Sequence, residues 1–224
     1  MLKLGIEFNS PDHEHTSLIE FSESWNKDLS WAYQVRRSEF DEILFRNAAK
    51  KGVHTIEKCR VRDIQMDDNH IAPVHIRAEM QTGQAISFEA KFIVDASGRD
   101  TFLANKYKTK QKDSSSAIFG HFDQATRLPG DKEGYISIFW FEHGWFWFIP
   151  LADGTTSVGA VCWPYYLHSR KKPLDDFLWD TINLSPQLAE RMKHAKLVSE
   201  TYATGNYSYS STICHGKQFI MIGD

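Results

Sequence analysis

Three short clusters carry residue types at spacings that can do chemistry. The first is Tyr33-Gln34-Val35-Arg36-Arg37-Ser38-Glu39-Phe40-Asp41, in which a short strand feeds a helix start with a glutamine and two arginines at the junction. A helix N-terminus offers free amides and positive partial charge, and arginine adds a forked donor, so the junction suits phosphate or polyol oxygens. On these residues alone the favoured reading is that both arginines are solvated, or paired with Glu39 and Asp41. The second cluster, Val94-Asp95-Ala96-Ser97-Gly98-Arg99, ends an apolar run in a turn of small residues. Backbone amides at the carboxyl end of such a strand are where α/β sheets bind ligands; Gly98 allows close approach and Ser97 can donate a hydrogen bond. The third is Gly144-Trp145-Phe146-Trp147-Phe148-Ile149-Pro150-Leu151. On a strand, Trp145 and Trp147 share one face while Phe146 and Phe148 share the other. Aromatic residues on both faces require cover on both, which core packing alone can supply.

The elements that must position these clusters follow from patterning. Phe40, Ile43, Leu44 and Ala48 recur at helical spacing, predicting a helix from Ser38 to about Lys51 with Ser38 as its cap and Asp41 at the capping-box position. A short strand is predicted at Trp31 to Val35, and alternation at Leu2, Leu4, Ile6 and Phe8 predicts another. Three more strands are expected at Thr55 to Met66, His70 to Met80 and Ala85 to Glu89, and Phe92-Ile93-Val94 reads as a strand buried on both faces. Past Ser114, the runs Ala117 to Phe122, Gly134 to Phe141, Trp145 to Leu151 and Thr155 to Trp163 predict an antiparallel meander. Helices are expected over Leu174 to Leu184 and Pro186 to Ala195. A long strand from Leu197 to Ile213 then leads to a terminal buried strand ending in Gly223-Asp224. The fold class is therefore α/β (α+β): a mixed layer, an inserted antiparallel layer, and a return to the first. Both termini read as cut within strand patterns, so the chain is expected to be an internal segment of a longer protein.

Composition narrows the function classes. The 224 residues are 42% hydrophobic, with 26 Lys plus Arg against 29 Asp plus Glu, and no basic stripe supports nucleic-acid capture. No apolar run is long enough to span a bilayer. Cys59, Cys162 and Cys214 lack CxxC spacing, as expected for reduced, buried thiols in the cytoplasm. His13-Glu14-His15 on a polar loop is expected to be solvated, so no metal site is assigned. His121 and His143 are expected at the rim or turns of the meander, and Asp175-Asp176 to complement a helix dipole.

Together and in this order, the clusters resemble the FAD-dependent oxidoreductases of the aromatic-hydroxylase fold, particularly the flavin-dependent halogenases. The W-x-W-x-I-P signature of that family is matched by Trp145, Trp147, Ile149 and Pro150. Its Gln followed by R-x-x-F-D-x-x-L is matched by Gln34, Arg37, Phe40, Asp41 and Leu44; its D-A-S-G-R by Asp95 to Arg99; and its late Gly-Asp by Gly223 and Asp224. The resemblance implies a flavoprotein with FAD as cofactor. Gln34 and Arg37 would face the ribityl and diphosphate portion, Val61 the adenine through its backbone, Asp95, Ser97 and Gly98 the cofactor turn, and Gly223 with Asp224 the ribityl hydroxyls. The tryptophan signature would line the floor between cofactor and substrate compartments. It further implies residues 1–105 as a partial FAD-binding domain lacking the glycine-rich N-terminal unit, 106–213 as an antiparallel substrate-side domain, and 214–224 as the return strand. The partners implied are a small organic substrate and a separate flavin reductase.

The sequence departs from the family in having no G-x-G, the turn that cradles a dinucleotide diphosphate. The family's catalytic lysine is not assigned to any residue here, and FAD binding by this polypeptide alone is expected to be weak. The alternatives are a monooxygenase or isoprenoid reductase of the same fold, or a truncated non-catalytic module using its tryptophan-rich sheet as a binding surface.

Overall fold

A computed structural model describes residues 1–67, 72–107, 110–112, 116–205 and 209–223. The chain forms two compact units, Met1–Asp41 with Ser114–Tyr207 and Glu42–Asp113 with Ser208–Asp224.

The first unit is built on a sheet of eight strands among the described residues, in the order Lys196–Leu197, Ser116–Asp123, Thr156–Cys162, Gly144–Pro150, Ile136–Phe141, Gly5–Asn9 and Thr16–Glu20, with Tyr202–Gly205 also on Ser116–Asp123. Neighbours run antiparallel except Gly5–Asn9, which lies parallel to Ile136–Phe141. The central hairpin closes through Glu142 and His143, with Phe141 opposite Gly144. Strand alternation sends Phe139, Phe141, Phe146, Phe148, Val158 and Ala160 to one face. There they bury against Phe177, Leu178 and Ile182 of helix Leu174–Ile182 and Leu188 and Met192 of helix Pro186–Met192. Asp175 and Asp176 occupy the first turn of the former helix, and Pro186 opens the latter.

Arg191 bolts that helical layer to the sheet. Its Nη1 donates to Glu7 Oε2 at 2.8 Å and Ser137 Oγ at 2.7 Å, and its Nε donates to the Thr126 carbonyl at 2.8 Å. The guanidinium lies 4.0 Å from the Phe148 ring centroid, so the charge is met by a carboxylate, two further oxygens and a π face.

The second unit holds two small sheets. Cys59–Gln65, Val74–Met80 and Ala85–Ala90 form an antiparallel meander, with a register shift between Val61 and Asp63 that leaves Arg62 as the extra residue of a bulge. His215–Gly216, Phe219–Met221 and Ile93–Asp95 form the other, its last two strands parallel. Ile64, Val74, Leu103 and Phe219 make the core.

Several local expectations are corrected. The helix is Arg37–Lys50, starting one residue earlier than predicted; the Phe40 amide donates to the Arg36 carbonyl, so Ser38 sits inside the first turn and caps nothing. Asp41 is instead held by the Arg37 guanidinium. The predicted strand at Trp31 to Val35 shortens to Ala32–Tyr33. Leu197 to Ile213 is not one strand, because Ser199 Oγ takes the His121 amide and interrupts the ladder between Lys196–Leu197 and Tyr202–Gly205. The run at Phe92 to Val94 is not covered on both faces, with Phe92 50% and Val94 54% exposed. Helices Phe102–Lys106 and Pro164–His168 were unforeseen. The start of the strand predicted from His70 lies outside the described residues. Among the described residues no helix is long and apolar enough to cross a membrane.

Removing one member of a buried ion pair strands the other charge, so Arg191→Ala is expected to lower stability by about 3–5 kcal/mol. Urea denaturation checks this. Breaking the exposed Lys172–Asp180 pair by Lys172→Ala should leave the midpoint nearly unchanged.

Candidate functional site

In the second unit the parallel strands Ile93–Asp95 and Phe219–Met221 both end in glycine-bearing turns at their carboxyl ends, the position where open α/β sheets receive ligands. Gly98 (φ +53°) and Gly223 (φ +96°) take left-handed backbone there, and neither turn is crowded. The amide of Ile222 donates to the Asp95 carbonyl at 2.9 Å, tying the two turns together. A small cavity of about 140 Å³ is bounded by Asp95, Ser97, Gly98 and Gly223. A larger groove of about 950 Å³ runs between the strand Cys59–Gln65 and the segment 92–97, large enough for a sizeable organic ligand. Val61, Asp95 and Ser97 line it, with the bulged Arg62 and Lys106 contributing positive charge. Asp63 at its wall is held below the usual carboxylate range, first by the hydrogen bond from Gln65 and then by the charges of Lys106 and Arg77. Asp224 lies outside the described residues.

The side-chain acceptors in the 95–98 turn are occupied internally. Asp95 accepts the Ser97 amide on Oδ1 at 2.9 Å and the Leu103 amide on Oδ2 at 2.8 Å. Ser97 Oγ accepts the Phe102 amide at 2.9 Å. Both side chains thereby satisfy amides at the start of helix Phe102–Lys106, which follows a left-handed Thr101. What the turn offers a ligand is its backbone, not the Asp95 carboxylate.

In the first unit Gln34 is 93% removed from solvent. Its Nε2 donates to the Gly134 carbonyl at 2.8 Å, and its Oε1 is buried with no partner among the described residues. Arg37 projects into solvent and clamps Asp41 through Nε and Nη2 at 3.1 and 3.2 Å. Arg36, not singled out for this role by the sequence, bonds Asp153 and Thr155 in the hairpin after the aromatic strand. The hydroxyl of Thr155 and then the Arg36 guanidinium lower the Asp153 carboxyl to about 2.

Trp145, Trp147 and Ile149 lie half-buried on one face of Gly144–Pro150, while Phe146, Phe148 and Pro150 are buried on the other. The two indoles meet edge-on with centroids 6.4 Å apart. Trp147 Nε1 donates to Ser157 Oγ at 3.2 Å, and Phe119 lies 5.8 Å from the Trp147 ring. Half-buried His121 stands one register step along that face, across from Ser157. Burial, and then the charge of Arg36, keep its imidazole pKa low. His143 is in the hairpin turn, its Nδ1 3.1 Å from the Tyr165 hydroxyl and its ring stacked on Tyr166 at 4.4 Å.

Ser157 and the Arg36–Asp153 link escaped sequence reasoning. Their signal was cross-strand register, which needs the pairing of two strands and cannot be read from either alone. Elsewhere, the ligand atoms of Asp12, Glu14 and His15 lie within 4.8 Å of one another on an exposed loop, where Asp12 is engaged by Ser10 and the Glu14 amide. Of the three cysteines expected to be buried only Cys162 is, Cys59 being half-buried and Cys214 exposed; burial pushes the Cys162 thiol up to about 11, so it stays protonated and unreactive.

Fold and site together describe a class: a mixed α/β body with glycine-bearing turns at parallel strand ends, joined in sequence to a tryptophan-faced, mainly antiparallel sheet. The chain belongs to the tryptophan halogenase family, whose model matches residues 8–196. It is 30% identical over 209 residues to a tryptophan 2-halogenase of Chondromyces crocatus, covering 89% of this chain and 40% of that protein. It is 28% identical over 236 residues to a 1H-pyrrole-2-carbonyl-[peptidyl-carrier protein] chlorinase of Pseudomonas fluorescens, covering 99% of this chain and 51% of that one. The chain thus spans about half the length of these curated relatives. Among solved structures, the myxobacterial chondrochloren halogenase CndH, a variant FAD-dependent halogenase, superposes with a TM-score of 0.88 at 29% identity, over 99% of this chain and 52% of that one. A flavoprotein/dehydrogenase from Cytophaga hutchinsonii superposes with a TM-score of 0.87 at 25% identity, over 99% of this chain and 54% of its own.

Asp95→Ala should release the two amides its carboxylate holds. Hydrogen exchange at Ser97 and Leu103 is expected to accelerate by about tenfold, with distant core amides unchanged.

Proposed function

We propose that this chain contributes the tryptophan-faced sheet and part of the cofactor groove to an FAD-dependent halogenase acting on an electron-rich aromatic or similar small organic substrate. The observation that carries the reading is the Trp145-Phe-Trp147-Phe-Ile149-Pro150 strand, whose indole face is left half-open while its phenylalanine face is committed to the core. Family membership and the halogenating activities named for the relatives support it.

The residues present fit a flavin dinucleotide by the chemistry of the donor set. In the second unit Val61 and Ser97 line the open groove, and Ser97, Gly98 and Gly223 bound the small cavity at the parallel strand ends. Within the second unit these residues, with Asp95 and Asp224, are the ones that would hold FAD. In the first, Gln34 Oε1 is buried with no partner among the described residues, and the Arg37 fork is engaged by Asp41; neither is counted in that set. When bound and reduced, FAD supplies the oxygen chemistry that turns halide into an electrophilic halogenating species. The protein's own contribution is separation and orientation. Asp95 fixes the backbone of the turn, and Arg36 with Asp153 fixes the hairpin that follows the aromatic strand. Trp145 and Trp147 present an apolar wall that excludes water from one side of the substrate compartment. In this reading the second unit is the cofactor side and the first the substrate side; electrons come from a separate flavin reductase, and the setting is the cytoplasm.

The likeness to a flavoprotein/dehydrogenase favours one rival, a different flavin reaction on the same fold. Incubation of the complete protein with FAD, a flavin reductase, NADH, chloride or bromide, and indole, pyrrole and phenol substrates separates them. The expected result is a halide-dependent product with the chlorine or bromine isotope pattern by mass spectrometry. Hydroxylated or reduced product without halogen would overturn the proposal.

A further inference from the structure

The sheet face carrying Trp147 has a gap in its side-chain layer. Gly159 stands directly opposite Trp147 on one side and Phe119 on the other, so glycine occupies the middle of a three-strand row with an aromatic residue at each end. Glycine weakens a strand interior and has no side chain to pack, so its presence there needs a reason. The backbone does not supply one, since Gly159 is not among the residues with positive φ. Space does: a Cβ at this position would stand 2.4 Å from Trp147 Cζ2, 2.4 Å from Phe119 Cβ and 2.8 Å from the Ile118 carbonyl oxygen. The indole therefore fills the volume a side chain at 159 would take. One register step away on the same strand, Ser157 Oγ accepts the Trp147 Nε1 proton at 3.2 Å. Two consecutive same-face positions of Thr156–Cys162 thus act on one indole, the first through its hydroxyl and the second by having no side chain.

We propose that Ser157 and Gly159 are positioning residues for Trp147: Gly159 lets the indole lie close over the sheet, and Ser157 turns its only donor inward. The consequence is chemical. With the N–H engaged, Trp147 presents carbon and π surface to whatever occupies that face and no hydrogen-bond donor, so it acts as a wall and not as a ligand for halide or substrate oxygen. The bearing of this on catalysis rests on the halogenase reading above; the positioning itself does not.

The test is indole ¹⁵N–¹H spectroscopy on this chain, with the Trp147 resonance assigned by its loss in Trp147→Phe. Ser157→Ala should shift that resonance and accelerate its solvent exchange by about fivefold, the factor an ordinary hydrogen bond is worth, and Ser157→Thr should restore both. Gly159→Ala should displace the same resonance and alter the near-ultraviolet circular dichroism. If that variant fails to fold, the Ser157 pair decides. A Trp147 resonance unmoved in shift and exchange by Ser157→Ala would overturn the proposal, as would a folded Gly159→Ala protein with the parent's Trp147 signal. The measurement uses neither flavin nor turnover, so its outcome and that of the halogenation assay are separable.

Discussion

A β-strand with aromatic residues on both faces must be covered twice, and the strand Gly144–Pro150 organises the first unit around that demand. Leaving large apolar rings in water forfeits on the order of 1.5–3 kcal/mol for each. Phe146 and Phe148 resolve their side by burial under two helices, with Arg191 stacked on Phe148 and paired to Glu7 across the layer. The other side is not closed in the same manner. Trp145, Trp147 and Ile149 remain half-buried, and the neighbouring strand contributes glycine and serine there where the core face receives valine and alanine. The sheet therefore has one face closed by the core and one left half-open.

The second unit applies a different constraint to the same end. A turn that must present its backbone has to be held from behind, and Asp95 does this by accepting two amides at once, with Ser97 accepting a third. The resemblance to known flavoproteins assigned Asp95 and Ser97 to the cofactor surface. They do line the groove, but their side-chain acceptors are engaged with the protein itself. That makes the shape of the turn, not the charge of its aspartate, what a ligand meets.

Much of this was legible in the sequence because it is local. Period-two alternation located the aromatic hairpin and the strands on either side, and proline with acidic first-turn residues located the two covering helices. The strand–turn pairs at Asp95 and Gly223 were readable, though not that they lie side by side in parallel, since 126 residues separate their partners Ile93 and Phe219. Failures arose where a side chain overrode the backbone pattern. Ser199 breaks a strand that composition alone would continue, and Asp41 pairs with Arg37 where a capping role was expected. The exposure of Phe92 and Val94 shows the limit of hydrophobicity as a guide: an apolar run announces that a face wants cover, not that cover is in contact with it.

The division of the Gly144–Pro150 strand into a core face and a half-open face is tested most directly by comparing Phe148→Ala with Trp147→Ala in urea denaturation. Burial at the centre of the core predicts a loss of about 3–5 kcal/mol for Phe148→Ala and less than half of that for Trp147→Ala. Equal losses would contradict the account, because they would show the tryptophan face to be core as well.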